Sequence, residues 1–221
     1  RHDLGLDQPV IVRYVKYMGG MLHGDMGVSY VSKTDVFDTY MEKLPATIKL
    51  SFASILVSIL LSVPLGIYSA TRQGTVQDNI SMIVAMIGLS MPNFWLGLLL
   101  IIVFSLNLGW FPSGGDQTLS SIVLPAITIG TGLMATLTRT TRSSMLDVLK
   151  QEYLRTARAK GIPEKIVITS HALRNALIPI ITIIGTQLAG VLGGSVLTET
   201  VFAWPGVGRL IVDSLNMRDT P

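Results

Sequence analysis

The chain has no cysteine among its 221 residues, which excludes a disulfide framework and a cysteine-based zinc site. It also has little charge. Asp, Glu, Lys and Arg make up 14% of it, against about 25% in a soluble globular protein, so a surface facing water on every side is excluded. Histidine occurs only at His2, His23 and His171, with no second ligand at metal-binding spacing. No GxxxxGK[ST] phosphate loop is present. Gly130-Thr-Gly132-Leu-Met-Ala135 fits GxGxxA by chance, inside an uncharged run with no soluble strand before it, and Gly206-Val-Gly208 departs from that pattern. No serine, histidine and acid constellation stands out. The expectation is a chain with no catalytic residue, no metal and no cofactor of its own.

What the sequence does have is apolar length: 49% of it is hydrophobic and the mean hydropathy is +0.53. Uncharged runs of 22 positions separate Lys49 from Arg72, 37 separate Asp78 from Asp116, 22 run from Gln117 to Thr138, and 24 from Asn175 to Thr198. Twenty-two helical residues extend about 33 Å, against a hydrocarbon core of about 30 Å. Each run therefore holds one span, at about 46–70, 80–106, 119–138 and 177–197, and the fold class is an all-α polytopic membrane protein. Pro64 and Gly66 lie near the end of the first span, and Pro92 kinks the second. The third is the weakest, with Pro125, Gly130 and Gly132. The fourth carries Gly185, Gly190, Gly193 and Gly194, small residues that permit close helix contact.

Eight of the 17 Lys and Arg residues fall between Arg139 and Arg174, beside only Asp147, Glu152 and Glu164, so that window is +5 and the rest of the chain −2. By the positive-inside rule the loop at about 139–176 is cytoplasmic. Alternation puts the turn with Arg72 inside, and the loop from Asn107 to Ser121 outside. It divides the chain into an outer segment 1–43, a transmembrane domain 44–198 and an external segment 199–221. In the outer segment, Val10, Ile11, Tyr14, Val15, Met18, Met21 and Leu22 after Pro9 predict an interfacial helix ended by Gly19 and Gly20 or by Gly24. A second helix is expected from Thr34 as N-cap, with Asp35 in its first turn, leading to Pro45. A solvated loop is the alternative for each.

Within the basic loop, Ser144 to Lys160 reads as an amphipathic helix with Leu146, Leu149, Tyr153 and Ala157 on one face. Gly161 suits the left-handed C-terminal position, and Pro163 opens a second helix reaching about Asn175 and running into the last span. Residue chemistry leaves two readings in balance. One is a surface helix drawn to anionic headgroups of membrane lipid. The other is a docking element for a cytoplasmic partner, using the small surface of Thr156, Ala157, Ala159 and Gly161. A nucleic-acid partner is not expected, because the segment is tethered between two spans.

Glu152-Tyr-Leu-Arg-Thr-Ala-Arg-Ala-Lys-Gly161, continuing through His171-Ala-Leu-Arg-Asn175-Ala-Leu-Ile-Pro179, resembles the cytoplasmic coupling loop of ABC-importer permeases of the dipeptide, oligopeptide and nickel branch. Gly24-Asp-Met-Gly-Val-Ser29, Ser90-Met-Pro-Asn-Phe-Trp-Leu-Gly97, Leu108-Gly-Trp-Phe-Pro112 and Glu199-Thr-Val-Phe-Ala-Trp-Pro-Gly-Val-Gly-Arg209 agree with it. The resemblance implies a type I ABC-importer permease core in a bacterial plasma (inner) membrane, with four of six spans in this chain and one expected before Arg1 and one after Pro221. It implies a second permease subunit, two ATPase subunits that carry ATP and Mg, and an external solute-binding protein. The branch carries peptides, glutathione-like thiols and chelated nickel. One departure stands out: the general loop pattern has Pro thirteen positions after its Gly, where this chain has Arg174, and the next Pro is Pro179.

The mechanism so implied is alternating access, with the segment from Glu152 to Lys160 as a lever in a groove of an ATPase. Thr156, Ala157, Ala159 and Gly161 let it sit deep, and Glu152 and Arg158 supply charged contacts. Ser90, Asn93 and Trp95 beside Pro92 are pathway candidates, the alternative being that Asn93 only bonds a carbonyl released by Pro92. Glu199, Trp204, Pro205 and Gly206 are external gate candidates, or part of a simple external cap. An ATP-independent channel component is the competing class.

Overall fold

A computed structural model describes residues 9–219; the start of the outer segment, with His2, and residues 220–221 lie outside the described residues. The helices are α1 (Val10–Leu22), α2 (Val36–Thr71), α3 (Val76–Ser90), α4 (Asn93–Leu100), α5 (Val123–Leu149), α6 (Glu152–Ala159), α7 (Glu164–Ile166), α8 (Leu173–Gly194), α9 (Val196–Val201) and α10 (Val207–Met217). A π-helical turn, Ile101–Asn107, prolongs α4, another, Val167–Ala172, joins α7 to α8, and a 3-10 turn, Leu119–Ile122, leads into α5. Among the described residues, three helical stretches are long and apolar enough to cross a membrane: Val36–Thr71, Leu119–Leu149 and Glu164–Gly193.

The run expected to be a single span at 80–106 is instead two helices bent by 96°. The cause is local. Pro92 has no N–H to continue the ladder, and the residue before a proline is pushed out of the helical region; Met91 accordingly sits at φ −92°, ψ 128°. The long helix α2 also begins differently from expectation. Its N-cap is Asp35, which accepts from the Phe37 N–H at 2.8 Å and the Asp38 N–H at 3.2 Å. The Thr34 hydroxyl is occupied by Ser32 Oγ at 2.6 Å and Thr39 Oγ1 at 3.3 Å. From that cap α2 runs through Pro45 and Pro64 for 36 residues, about 54 Å at 1.5 Å per residue. Its outer turns therefore extend past the hydrocarbon.

The central helix is α5, packed by α2, α3 and α8. Its contact with α2 is made from small residues, because lipid gives apolar side chains no reason to prefer each other over the bilayer. Thr47, Ser51, Ser54, Ser58, Ser62, Gly66 and Ser69 recur every three or four residues on one buried face of α2. Two of the hydroxyls turn back on the helix's own backbone: Ser51 donates to Thr47 O and Ser54 to Leu50 O, both at 2.8 Å. A Cβ at Gly66 would lie 2.6 Å from Thr141 Cβ, and one at Gly130 would lie 2.8 Å from Val57 Cγ1. Both helices thus approach backbone to backbone at each end of their crossing.

The apolar residues gather in two layers. Leu137, Met145, Leu154, Ala157, Val167, Ala172 and Ile180 form the inner one, and Leu50, Ala126, Ile129, Val191 and Trp204 the outer. The third span, expected at 119–138, continues as helix to Leu149, carrying Arg139 and Arg142 with it. The segment expected as one helix from Ser144 to Lys160 is interrupted at Lys150 and Gln151, where Gln151 is extended at φ −73°, ψ 141°.

Candidate functional site

The short helix α6 stands on the inner layer. Leu154 is wholly buried and Ala157 nearly so, packed with Val167, Ala172 and Ala176. Glu152, Thr156, Arg158, Ala159 and Gly161 face away from that core and are exposed. Ala157, which the sequence places both on the apolar face of this segment and among the small partner-facing residues, faces inward, and its small side chain lets α6 lie close on the helix leading into α8.

The end of α6 is a left-handed turn of the kind that closes helices. Gly161 has φ +76°, its N–H donates to Arg158 O at 2.9 Å, and the Ile162 N–H donates to Ala157 O at 3.3 Å. Arg158 then spans the turn, its Nε 3.0 Å from Glu164 Oε2 and its Nη2 2.9 Å from Oε1. That ion pair holds the Arg158 guanidinium more firmly protonated than usual. Glu152 pairs with Arg155 at 3.2 Å. Asn175 Nδ2 donates to Tyr153 Oη at 2.7 Å and to His171 O at 3.0 Å, tying α6 to the start of α8.

At the same end of the molecule, Asp78 is buried between three helices. Arg142 donates to it twice, Nε to Oδ1 at 2.8 Å and Nη2 to Oδ2 at 2.7 Å. Ser69 Oγ donates to Oδ1 at 2.5 Å and the Gly74 N–H to Oδ2 at 3.0 Å. Bidentate Arg–carboxylate pairs fix geometry as well as charge, so α2, α3 and α5 share one register at their inner ends.

The outer end has its own buried carboxylate. Glu199 is 0% exposed; Thr47 Oγ1 and Ser195 Oγ donate to its Oε1 at 3.0 and 2.9 Å, and the Arg209 N–H to Oε2 at 3.1 Å. Trp204 is buried, with Nε1 donating to Ala46 O at 3.0 Å. Gly206 lies against the Glu199 carboxylate, where a Cβ would come within 2.5 Å of Cδ, and Pro205 is half-buried beside it. The four external gate candidates thus come together in one turn that is fastened to α2.

Residues 62–221 match the family described as "Binding-protein-dependent transport system inner membrane component". The chain belongs to this family. Its relatives include the oligopeptide transport system permease protein AppB of Bacillus subtilis (strain 168), 47% identical over 98% of this chain and 72% of the relative. The glutathione transport system permease protein GsiC of Escherichia coli (strain K12) is 43% identical over 100% of this chain and 72% of the relative. Among solved structures, an inward-facing MetNI methionine ABC transporter aligns at TM-score 0.63 and 20% identity, over 79% of both chains. An amino acid ABC transporter aligns at TM-score 0.59 and 13% identity, over 96% of this chain and 86% of that one. These two show the fold. The chain is a permease subunit of an ABC importer, a multi-pass inner-membrane protein, and not itself an enzyme.

In this permease the pathway candidates Ser90, Asn93 and Trp95 flank the 96° break and are exposed on this chain. Ser90 donates to Met86 O at 3.1 Å and is the one polar residue lining an open groove with Ile83, Met86, Ile87 and Met91. Asn93 bonds no released carbonyl among the described residues; its Oδ1 sits 2.7 Å from where a Cβ at Gly132 would be. Sequence reasoning missed Asp78, Arg142 and Thr47 as fastening residues. For the first two a signal existed, an acid at the inner edge of one uncharged run and a base four positions past the inner end of another; for Thr47 there was none.

Proposed function

We propose that the permease forms half of a translocation pathway for peptides and works by alternating access with a second permease subunit, two ATPase subunits and a solute-binding protein. ATP and Mg belong to the ATPases in this reading. The substrate class is supported by the relatives, one an oligopeptide and the other a glutathione permease, since glutathione is itself a tripeptide.

The observation that carries the coupling role is the division of α6 into two faces. Leu154 and Ala157 anchor it to the membrane helices, while Glu152, Thr156, Ala159 and Gly161 are presented outward beyond them. A helix so anchored transmits a push on its outer face to α8 and α5. Arg158 acts within the loop, bracing the Gly161 turn through Glu164.

Gly161 itself is a poor test, because any side chain there is strained at positive φ whether or not a partner sits on it. Thr156→Trp and Ala159→Trp change only the exposed face. The expected result is a permease that folds and inserts but no longer co-purifies with the ATPase, and whose uptake is lost. Undiminished ATP-driven uptake in both variants would overturn the assignment, and uptake by the unmodified transporter without ATP would favour a channel.

A further inference from the structure

We propose that the stretch from Ser195 to Arg209 and the outer turn of α2 form one rigid clasp keyed by Glu199, and that outward opening hinges beside this clasp rather than through it. The proposal rests on the alternating-access reading above.

Glu199 takes its three hydrogen bonds from three places: Thr47 on α2, Ser195 at the start of α9, and the Arg209 N–H on α10. A carboxylate removed from water is tolerable only while such donors stay in place. Moving α10 away from α2 would strip donors from a group with no access to solvent. A second tie lies next to the first, since Thr47 Oγ1 also accepts from the Val207 N–H at 2.8 Å while Trp204 Nε1 reaches Ala46 O. Two adjacent residues of α2 thus hold both ends of the 204–207 turn, which resists rotation as well as separation.

Glycine makes the fit possible. A Cβ at Gly206 would meet the carboxylate, and one at Gly208 would lie 2.8 Å from Val196 Cα and 3.0 Å from Glu199 Oε2. Phe202 extends the clasp sideways: its carbonyl accepts from the Gly115 N–H at 2.9 Å, and its ring lies 3.0 Å from where a Cβ at Gly97 would be.

On the other side of Ser195 the packing is sparse. Within this chain 17% of an 18-residue apolar stretch of the Glu164–Gly193 span is buried, and a Cβ at Gly185, Gly190 or Gly193 would meet nothing within 4 Å. The helix is interrupted at Ser195, φ −83°, ψ 28°. The geometry therefore places the compliant joint between α8 and α9, and makes Glu199 a positioning residue that carries α9 and α10 along with α2.

In the transporter assembled with its ATPases and binding protein, hydrogen exchange at the Val207 and Arg209 amides, which donate to Thr47 Oγ1 and Glu199 Oε2, tests the clasp without altering it. Equal protection in the nucleotide-free and ATP-bound states is expected, and a several-fold loss of protection at either amide in one state overturns the clasp. Should the same transporter take up substrate without ATP, the alternating-access reading fails instead, and the two outcomes stay distinct.

Discussion

Arg142 closes a two-point ion pair on Asp78, 2.8 Å from Nε to Oδ1 and 2.7 Å from Nη2 to Oδ2, and so fastens the α2–α3 turn to the inner part of α5. Asp78 is the more deeply buried partner, at 4% side-chain exposure against 26% for Arg142.

Removing one partner of such a pair costs more than removing both, because the survivor is left uncompensated, a penalty of about 3–5 kcal/mol. Arg142→Met should therefore lower the thermal stability of the detergent-solubilised permease more than Arg142→Met combined with Asp78→Ser. An additive double variant, read from unfolding midpoints, would show that the two residues do not act as a pair.

The α2–α5 crossing predicts a contrast between glycines. Gly66→Ala puts a methyl group 2.6 Å from Thr141 Cβ, whereas Gly19→Ala in α1 meets nothing within 4 Å. Overpacking of this kind costs about 1–3 kcal/mol. Gly66→Ala should reduce stability and membrane yield, and Gly19→Ala should leave both unchanged.

Asp219 tethers the end of α10 to the outer loop before α2, accepting from Ser29 Oγ at 2.5 Å and from the Tyr30 N–H at 2.7 Å. The Ser29 hydrogen bond holds its carboxyl below the usual carboxylate range. A group lowered in this way contributes above its ordinary pKa of about 3.9, and loses that contribution as pH falls through the lowered value. Protection of the Tyr30 amide should be flat from neutral pH to about pH 5 and fall only in stronger acid. In Asp219→Asn the acid-dependent fall should be absent.

Helix α1 presents Tyr14 and Met18 on one side and Lys16 on another, with no acid in its length. Single cysteines at these positions should separate by environment in liposomes. Cysteine at 14 or 18 is expected to be shielded from a water-soluble thiol reagent, and cysteine at 16 to react. Equal, rapid reaction at all three would mean the helix does not lie on the bilayer.

Long uncharged runs made the spans legible, since nothing but helix satisfies that much backbone in hydrocarbon. The break at Pro92 was legible as a kink but not as a right angle, because the angle depends on where α4 finds its packing, against Gly132 and Phe202. The apolar face through α6 was legible in part. Leu146, Leu149 and Ala157 pack inward as the periodicity places them, but the interruption at Gln151, which neither Gly nor Pro announces, shifts the phase so that Tyr153 is exposed and Leu154 points inward. Glu199 and Gly206 were legible as a site from their motif. Thr47 was not, because its partner is 152 residues away and one threonine in a span looks like any other.

The right-angle break has a cost that must be met in the assembled importer. Where α3 stops at Ser90, its last-turn carbonyls lose the N–H partners that a continuing helix would supply. Hydrocarbon cannot satisfy them, at several kcal/mol each. Wherever this break lies within the hydrocarbon, lipid tails are excluded from it, and either hydration or another protein surface must reach it.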